Sequence, residues 1–481
     1  MVVVTWIYTL ALLAMALYGF NLLLLTGLAA WTWATRLRRE PASPLPAEWP
    51  TVLVQLPLYN ERYVVERVID AAAALDYPAG RLTIQVLDDS TDDTGAIARA
   101  RAAHHRSRGA AIQYLHRSKR AGFKAGALAA GLEVSSADFV AVFDADFLPP
   151  ADFLRRTLPA LLADPGLGCV QARWEHLNPE ANALTRAEAL ALDSHFVVDQ
   201  VARSRSGLLL NFNGSAGVWR RRAITTAGGW QGDTIAEDLD LSYRTQLAGW
   251  RLGYLPGVTA AAELPTSILA FKRQQFRWAK GSFQVLRKLG PQLWRAPRPL
   301  LQKIEGFLHI CGYLPHPLML LTLLLSLPVV LMHGRLPLNW GALSLAGLGP
   351  VLAAGLAQLV LHKDWPRRLL RFPLLLLLGT GLALTNSHAL WAAFFSRTHD
   401  FGRTPKLPAQ EAPGDYALTI DWTTWAELLL AVYALATGLL ALELAPGVAV
   451  FLFMYALGLG YTGALGLWQS GWGQRLQHEP A

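Results

Sequence analysis

The sequence predicts an α/β domain, a mostly parallel sheet with helices on both faces, inserted into a set of α-helices that cross a membrane. Three observations predict it. Long apolar stretches at residues 5–34 and 302–468 bracket a segment, 40–300, of ordinary soluble composition. Inside that segment short β-type runs alternate with helical patterns. Acidic and polar motifs follow three of those runs, where an open α/β sheet binds its ligands.

The composition agrees. The 481 residues leave room for two or three domains, and 53% are hydrophobic against 16% charged, where soluble domains average about 25%. The formal charge is +8. Its excess Lys and Arg flank the apolar stretches, which suits a cytoplasmic membrane surface. No patch interleaves aromatic and basic residues as a nucleic-acid platform does, so no nucleic-acid partner is expected. The two cysteines, Cys169 and Cys311, lie in different regions. They form no disulfide framework or paired metal motif, as in a reducing compartment.

The first span runs from about Trp6 to Trp31 and reads as retained, because it lacks the basic start of a cleavable signal. Arg36, Arg38 and Arg39 follow it and place the next domain in the cytoplasm. That domain occupies 40–265. Strands are expected at 51–56, 82–87, 111–115 and 139–143, with helices at about 62–75, 92–107 and 123–134. Residues 266–300 carry Lys272, Arg273, Arg277, Lys280, Arg287 and Lys288 among aromatics and leucines, the pattern of an amphipathic helix in the membrane interface. The rest, 301–481, holds apolar segments at 307–333, 340–361, 369–395, 422–443 and 446–468. Basic residues stand on both sides of 369–395: Lys363, Arg367, Arg368 and Arg371 before it, Arg397, Arg403 and Lys406 after it. Both loops favour the cytoplasm, so this segment reads as interfacial or re-entrant, leaving five spans; a sixth span is the alternative.

The chemistry gathers at the strand ends. Pro57-Leu-Tyr59-Asn60-Glu61 closes the first strand, Asp88-Asp89-Ser90 the second, and Asp144-Ala-Asp146 the fourth. Two carboxylates in an Asp-x-Asp pattern suit a hard cation, Mg²⁺ or Mn²⁺, that bridges phosphate oxygens; a capped turn accounts for each motif equally well when it is taken alone. Between them His116 to Gly126 supplies Arg117, Arg120 and Lys124 with glycines, just before a helix whose N-terminus favours anions. It is not a Walker A pattern, which excludes a P-loop nucleotidase. Ala236-Glu237-Asp238 opens a helix, where a carboxylate either caps the turn or removes a proton. Gln274, Arg277 and Trp278 fall at i, i+3 and i+4 and share one helix face.

Taken together, Asp88, Asp144/Asp146, Asp238 and Gln274-x-x-Arg277-Trp278 resemble the D, D, D, QxxRW order of glycosyltransferase family 2. The runs Gln171 to Trp174, Phe212 to Arg220, Ala227 to Trp230, Glu263-Leu-Pro and Arg403 to Lys406 are similar to those of the cellulose synthase-like A group, the mannan and glucomannan synthases, with cellulose synthases more distant. The chain departs in having Ala236 where many relatives have Thr, and it retains the acid at Asp238.

The resemblance implies a GT-A type fold and assigns roles. Asp88, Tyr59, Asn60 and Glu61 would hold the nucleotide and Lys124 its diphosphate. Asp144 would contact nucleotide and metal, and Asp146 metal. Asp238 would be the general base. Glu237, Gln274, Arg277 and Trp278 would hold diphosphate and acceptor, and Phe401 to Lys406, in loop 396–410, would cover the nucleotide. The implied activity is inverting, processive polymerisation of a β-glycan from GDP-mannose or UDP-glucose with export through the membrane, past candidates such as Asn386, Trp391 and Tyr433. Two other readings stay open: a non-processive transferase with a lipid acceptor, and a channel or transporter that only senses nucleotide-sugars.

Overall fold

Strands covered on both faces are built from nearly unbroken apolar runs. Val52-Leu-Val-Gln-Leu and Phe139-Val-Ala-Val are of this kind and are buried. The structure, a computed structural model, describes residues 2–35, 44–333, 343–395 and 420–470. Its strands are β1 (Val52–Leu58), β2 (Leu82–Asp88), β3 (Ile112–His116), β4 (Phe139–Val142), β5 (Phe147–Leu148), β6 (Leu167–His176), β7 (Gly217–Arg220) and β8 (Arg251–Ala262). They form one eight-stranded sheet in the order β3-β2-β1-β4-β7-β6-β8-β5. The four strands expected from sequence make its parallel half. The helices between them, Val65–Ala73, Thr94–Ser107 and Phe123–Glu133, lie within or close to the expected bounds.

The other half is mixed. β7 runs antiparallel to both β4 and β6, β8 is parallel to β6, and β5 is antiparallel to β8. This geometry sets the site. The carboxyl ends of β1, β2, β4, β6 and β8 share one rim, and the antiparallel β7 brings its leading segment, Asn213 to Ala216, to the same rim.

Four helices among the described residues are long and apolar enough to cross a membrane: Val2–Thr35, Leu343–Leu361, Trp422–Leu444 and Pro446–Gln469. Two bent pairs raise the number to six if each is one span. The pair Leu300–Ile310 and Pro315–Leu331 turns by 65°, where Pro315 opens the second helix. The pair Trp365–Gly381 and Ala383–Phe395 turns by 41°. Its leading end is tied to the α/β domain by Arg371, which donates to Glu180 at 2.9 and 3.1 Å. Near its trailing end, Arg287 of the Ile268–Arg295 helix donates to the Ala393 carbonyl at 3.0 Å. Leu378 and Leu382 pack against Leu184, Ala187, Ile268 and Phe271. A bend of 41° fits a broken span as well as a re-entrant loop. Arg36, Arg38, Arg39 and the loop 396–410, with Phe401 to Lys406, lie outside the described residues.

The Ile268–Arg295 helix departs from a simple interfacial helix. Lys272 does not face headgroups. It is 5% exposed, and its Nζ lies 2.8–2.9 Å from Glu427 on the Trp422–Leu444 helix. Thr385 and Thr462 donate to the same carboxylate at 3.3 and 3.4 Å. The reason is electrostatic: a carboxylate inside an apolar bundle is tolerated only when paired.

The channel candidates take other positions. Tyr433 donates its hydroxyl to the Leu324 carbonyl at 3.0 Å; Pro328, lacking an N–H, leaves that carbonyl without its usual helical donor. Trp391 is 62% exposed and packs on Phe395, with ring centroids 4.1 Å apart. Asn386 is fully buried.

Candidate active site

The shared rim encloses a cavity of about 210 Å³. Tyr59 and Glu61 reach it from the end of β1, and Asp144 and Asp146 from the end of β4. Lys124 comes from the first turn of the Phe123–Glu133 helix, and Glu237 and Asp238 from the first turn of Glu237–Leu247. Gln274, Arg277 and Trp278 close the opposite wall from the Ile268–Arg295 helix. Ten residues singled out in the sequence, spread from Tyr59 to Trp278, therefore line one cavity.

Lys124 sits at its centre. Its Nζ lies 2.6 Å from Asp144 and 3.5 Å from Glu237, and donates to the Gly214 carbonyl at 2.8 Å. Burial alone would lower the pKa of this ammonium, but Asp144 and Glu237 outweigh burial and raise it. Asp144 is raised by burial, which prevails over the attraction of Lys124. Asp238 is pushed up to about 7 by burial and then by repulsion from Glu237. A carboxyl with a pKa near neutrality suits a general base.

The loop before β7 makes this packing possible. Gly214 has φ +85°, and a Cβ there would stand 2.9 Å from the Asp238 Oδ2 and 3.4 Å from the Lys124 Nζ. Only a residue without a side chain lets the backbone pass between the two groups. The Glu237–Leu247 helix is seated by a second close approach, because a Cβ at Gly281 would lie 2.6 Å from the Ala236 Cβ. Gln274 keeps a buried side-chain oxygen with no partner among the described residues.

Two residues do not reach the cavity wall. Asp88 is fully buried: Tyr114 donates to its carboxylate at 2.6 Å, the Ser90 N–H donates at 2.9 Å, and the His116 Nδ1 lies 3.0 Å away. Its neighbour Asp89 faces the cavity and is bridged by Arg117. Asn60 has φ 54° and latches the β1 loop to the β2 loop, accepting from the Thr91 N–H at 2.9 Å. The doubled Asp88-Asp89 signal marked the right strand end, but alternation along the strand decides which acid points outward. Sequence reasoning offered Arg120 as a phosphate-balancing cation; its guanidinium lies 3.3 Å from the Tyr59 ring centroid. It gave no role to Trp174, His176 and Asn213, although two of the runs it quoted contain Trp174 and Asn213. The unbroken β6 run into Trp174 was the signal available for the first two.

Asp144 and Asp146 form an oxygen-only donor pair, and no group of three or more His, Cys, Asp or Glu able to hold a metal occurs among the described residues. That fits Mg²⁺ or Mn²⁺, which is commonly bound through one or two carboxylates, water and substrate phosphates. It does not fit a closed structural zinc site.

Residues 50–281 match the family described as Glycosyltransferase like family 2, and the sheet is GT-A-like. The chain is 41% identical over 288 residues to glucomannan 4-beta-mannosyltransferase 9 of Arabidopsis thaliana, covering 56% of this chain and 54% of that protein. It is 38% identical over 316 residues to glucomannan 4-beta-mannosyltransferase 2 of the same plant, covering 64% and 59%. The chain spans a little more than half the length of these relatives. Among solved structures, the mannosyltransferase PcManGT from Pyrobaculum calidifontis, in complex with GDP-Man and Mn²⁺, superposes with a TM-score of 0.54 at 23% identity, over 80% of this chain and 100% of that one. That likeness is one of fold.

Proposed function

We propose that this protein is an inverting β-mannosyltransferase that polymerises mannose from GDP-mannose on the cytoplasmic face of a membrane and passes the glycan outward. The observation that carries the reading is the single cavity joining Asp144, Asp146, Lys124 and Asp238 to the Gln274–Trp278 wall. That wall stands on a helix packed against the membrane helices. The relatives' mannosyltransferase names favour mannose over glucose. Lys363, Arg367, Arg368 and Arg371 on the domain side favour a cytoplasmic orientation.

In this mechanism the acceptor hydroxyl gives its proton to Asp238 Oδ2 as its oxygen attacks the anomeric carbon. The diphosphate leaves from the opposite face, so an α-linked donor yields a β-linkage. Arg277 and Gln274 hold the diphosphate, and Trp278 offers its ring to the acceptor sugar. Asp144 and Asp146 would hold Mg²⁺ or Mn²⁺, which supplies positive charge against the diphosphate. Lys124 holds the Asp144 and Glu237 carboxylates in place and adds positive charge beside the diphosphate. Tyr59 and Arg120 provide a flat cationic surface for the base, and Asp89 an acceptor beside it.

The test supplies membranes containing the protein with labelled GDP-mannose and, in parallel, UDP-glucose. An insoluble labelled product from GDP-mannose, cut by a β-1,4-mannanase, is expected. Label that stays in the lipid extract would turn the reading to a lipid acceptor, and no release of nucleoside diphosphate from either donor would end it.

A further inference from the structure

The cavity has a second half that the reaction described above leaves without a role. The donor groups stand at the ends of β1, β2 and β4, while β6 delivers Trp174 and His176 to the far side of the same rim. Above them the Ala183–Ser194 helix contributes Glu188 and Leu192 to the cavity.

His176 is held unusually well for a cavity residue. Its Nε2 lies 3.0 Å from the Asp193 Oδ1. Asp193 is itself 5% exposed and accepts on Oδ2 from Gln358 at 2.8 Å, with the His362 Nε2 3.5 Å away. Gln358 belongs to the membrane helix Leu343–Leu361 and is 2% exposed. An ionised carboxylate only accepts, so Nε2 carries the proton and the ring is locked in orientation. No described residue bonds Nδ1, and His176 lines the cavity.

We propose that His176 is an acceptor-binding residue, whose Nδ1 takes a hydrogen bond from a hydroxyl of the acceptor sugar while Asp193 holds the ring. This rests on the glycosyl-transfer reading. In an inverting displacement the acceptor approaches from the side opposite the diphosphate. Asp144 and Asp146 mark the diphosphate end at β4, and the β6 end bearing Trp174 and His176 stands two strands along the rim, across β7. Sugars present apolar ring faces and hydroxyl edges. Trp174, held by its Nε1 on the Ser215 carbonyl at 3.2 Å, provides apolar surface for the one, and His176 an acceptor for the other. The half-site adjoins the helix bearing Gln358, so a glycan lying along it points toward the membrane.

Asparagine and glutamine separate a ligand role from a structural one. The Asn amide atoms occupy the place of Nδ1, and the Gln amide atoms that of Nε2. The purified protein in lipid nanodiscs is assayed with GDP-mannose and a short β-1,4-manno-oligosaccharide. His176→Ala and His176→Gln should raise the acceptor KM about tenfold, the loss of one hydrogen bond. His176→Asn should stay within about threefold of the unaltered protein. Donor KM and the slow hydrolysis of donor by water should not change. The proposal is overturned if Gln is silent and Asn impaired, for His176 then serves only Asp193. It also fails if acceptor KM is unchanged in all three or if donor KM rises in step. Should His176→Ala not fold, the Asn and Gln pair decides. An unaltered protein that transfers no sugar overturns the glycosyl-transfer reading, and this proposal with it; normal transfer with an unmoved acceptor KM removes this proposal alone.

Discussion

At the scale of single residues, the site depends on how closely three groups approach. Asp238, Lys124 and the Gly214 backbone pack together, and burial, then repulsion from Glu237, pushes the Asp238 carboxyl up to about 7 against the pull of Lys124. A base must be ionised to act, so transfer should rise with pH through a limb near 7 and fall off below it. A pH–rate profile of kcat/KM, which reports the free enzyme, checks this, and a flat profile from pH 5 to 8 would argue against Asp238 as base. Asp238→Asn should reduce transfer by about 10²–10⁴-fold with donor binding retained; normal turnover would remove Asp238 from the role. Gly214→Ala places a methyl against the Asp238 Oδ2 at a positive φ. It should cost on the order of 1–3 kcal/mol in strain and lower kcat more than donor affinity, as donor titration and steady-state rates would reveal.

At the scale of elements, the Ile268–Arg295 helix is the member shared by site and membrane. One side carries Gln274, Arg277 and Trp278 to the cavity, and Gly281 seats the helix of Asp238. Lys272 fastens the same helix to Glu427 within the bundle. Removing one partner of a buried pair strands the other charge, at about 3–5 kcal/mol. Glu427→Gln and Lys272→Met should therefore each lower the unfolding temperature. The double variant should recover much of the loss, because it leaves no lone charge. Equal destabilisation in the double variant and the sum of the singles would show that the two side chains do not act as a pair.

At the scale of the whole molecule, the α/β domain and the membrane helices share a core. Leu25 and Ala29 of the Val2–Thr35 helix pack with Phe196, Val198 and Val201. Trp33 donates to the Val197 carbonyl at 3.0 Å, inside the π-helical turn His195–Asp199, where the regular ladder leaves carbonyls to be satisfied elsewhere. The first helix is thus a structural wall of the domain as well as an anchor. A protein lacking residues 2–35 should aggregate in detergent on size-exclusion chromatography. A monodisperse and active truncated protein would contradict this shared core.

What the sequence determined by itself is whatever short-range pattern encodes. The apolar runs and alternations placed β1 to β4, their helices and the membrane segments. The strand-end motifs, the basic loop before Lys124 and Gln274-x-x-Arg277-Trp278, together with the resemblance they carry, pointed to ten cavity residues. Tertiary structure decided the rest, because the deciding partners are distant in the chain. That Asp89 and not Asp88 faces the cavity follows from the direction in which a strand end turns, which Tyr114 and His116 determine. That Lys272 is buried follows from Glu427, 155 residues away. That β6, β7 and β8 include antiparallel pairings, bringing Asn213 and His176 to the rim, follows from strand order. Order is settled by packing two faces at once, which no local window of residues contains.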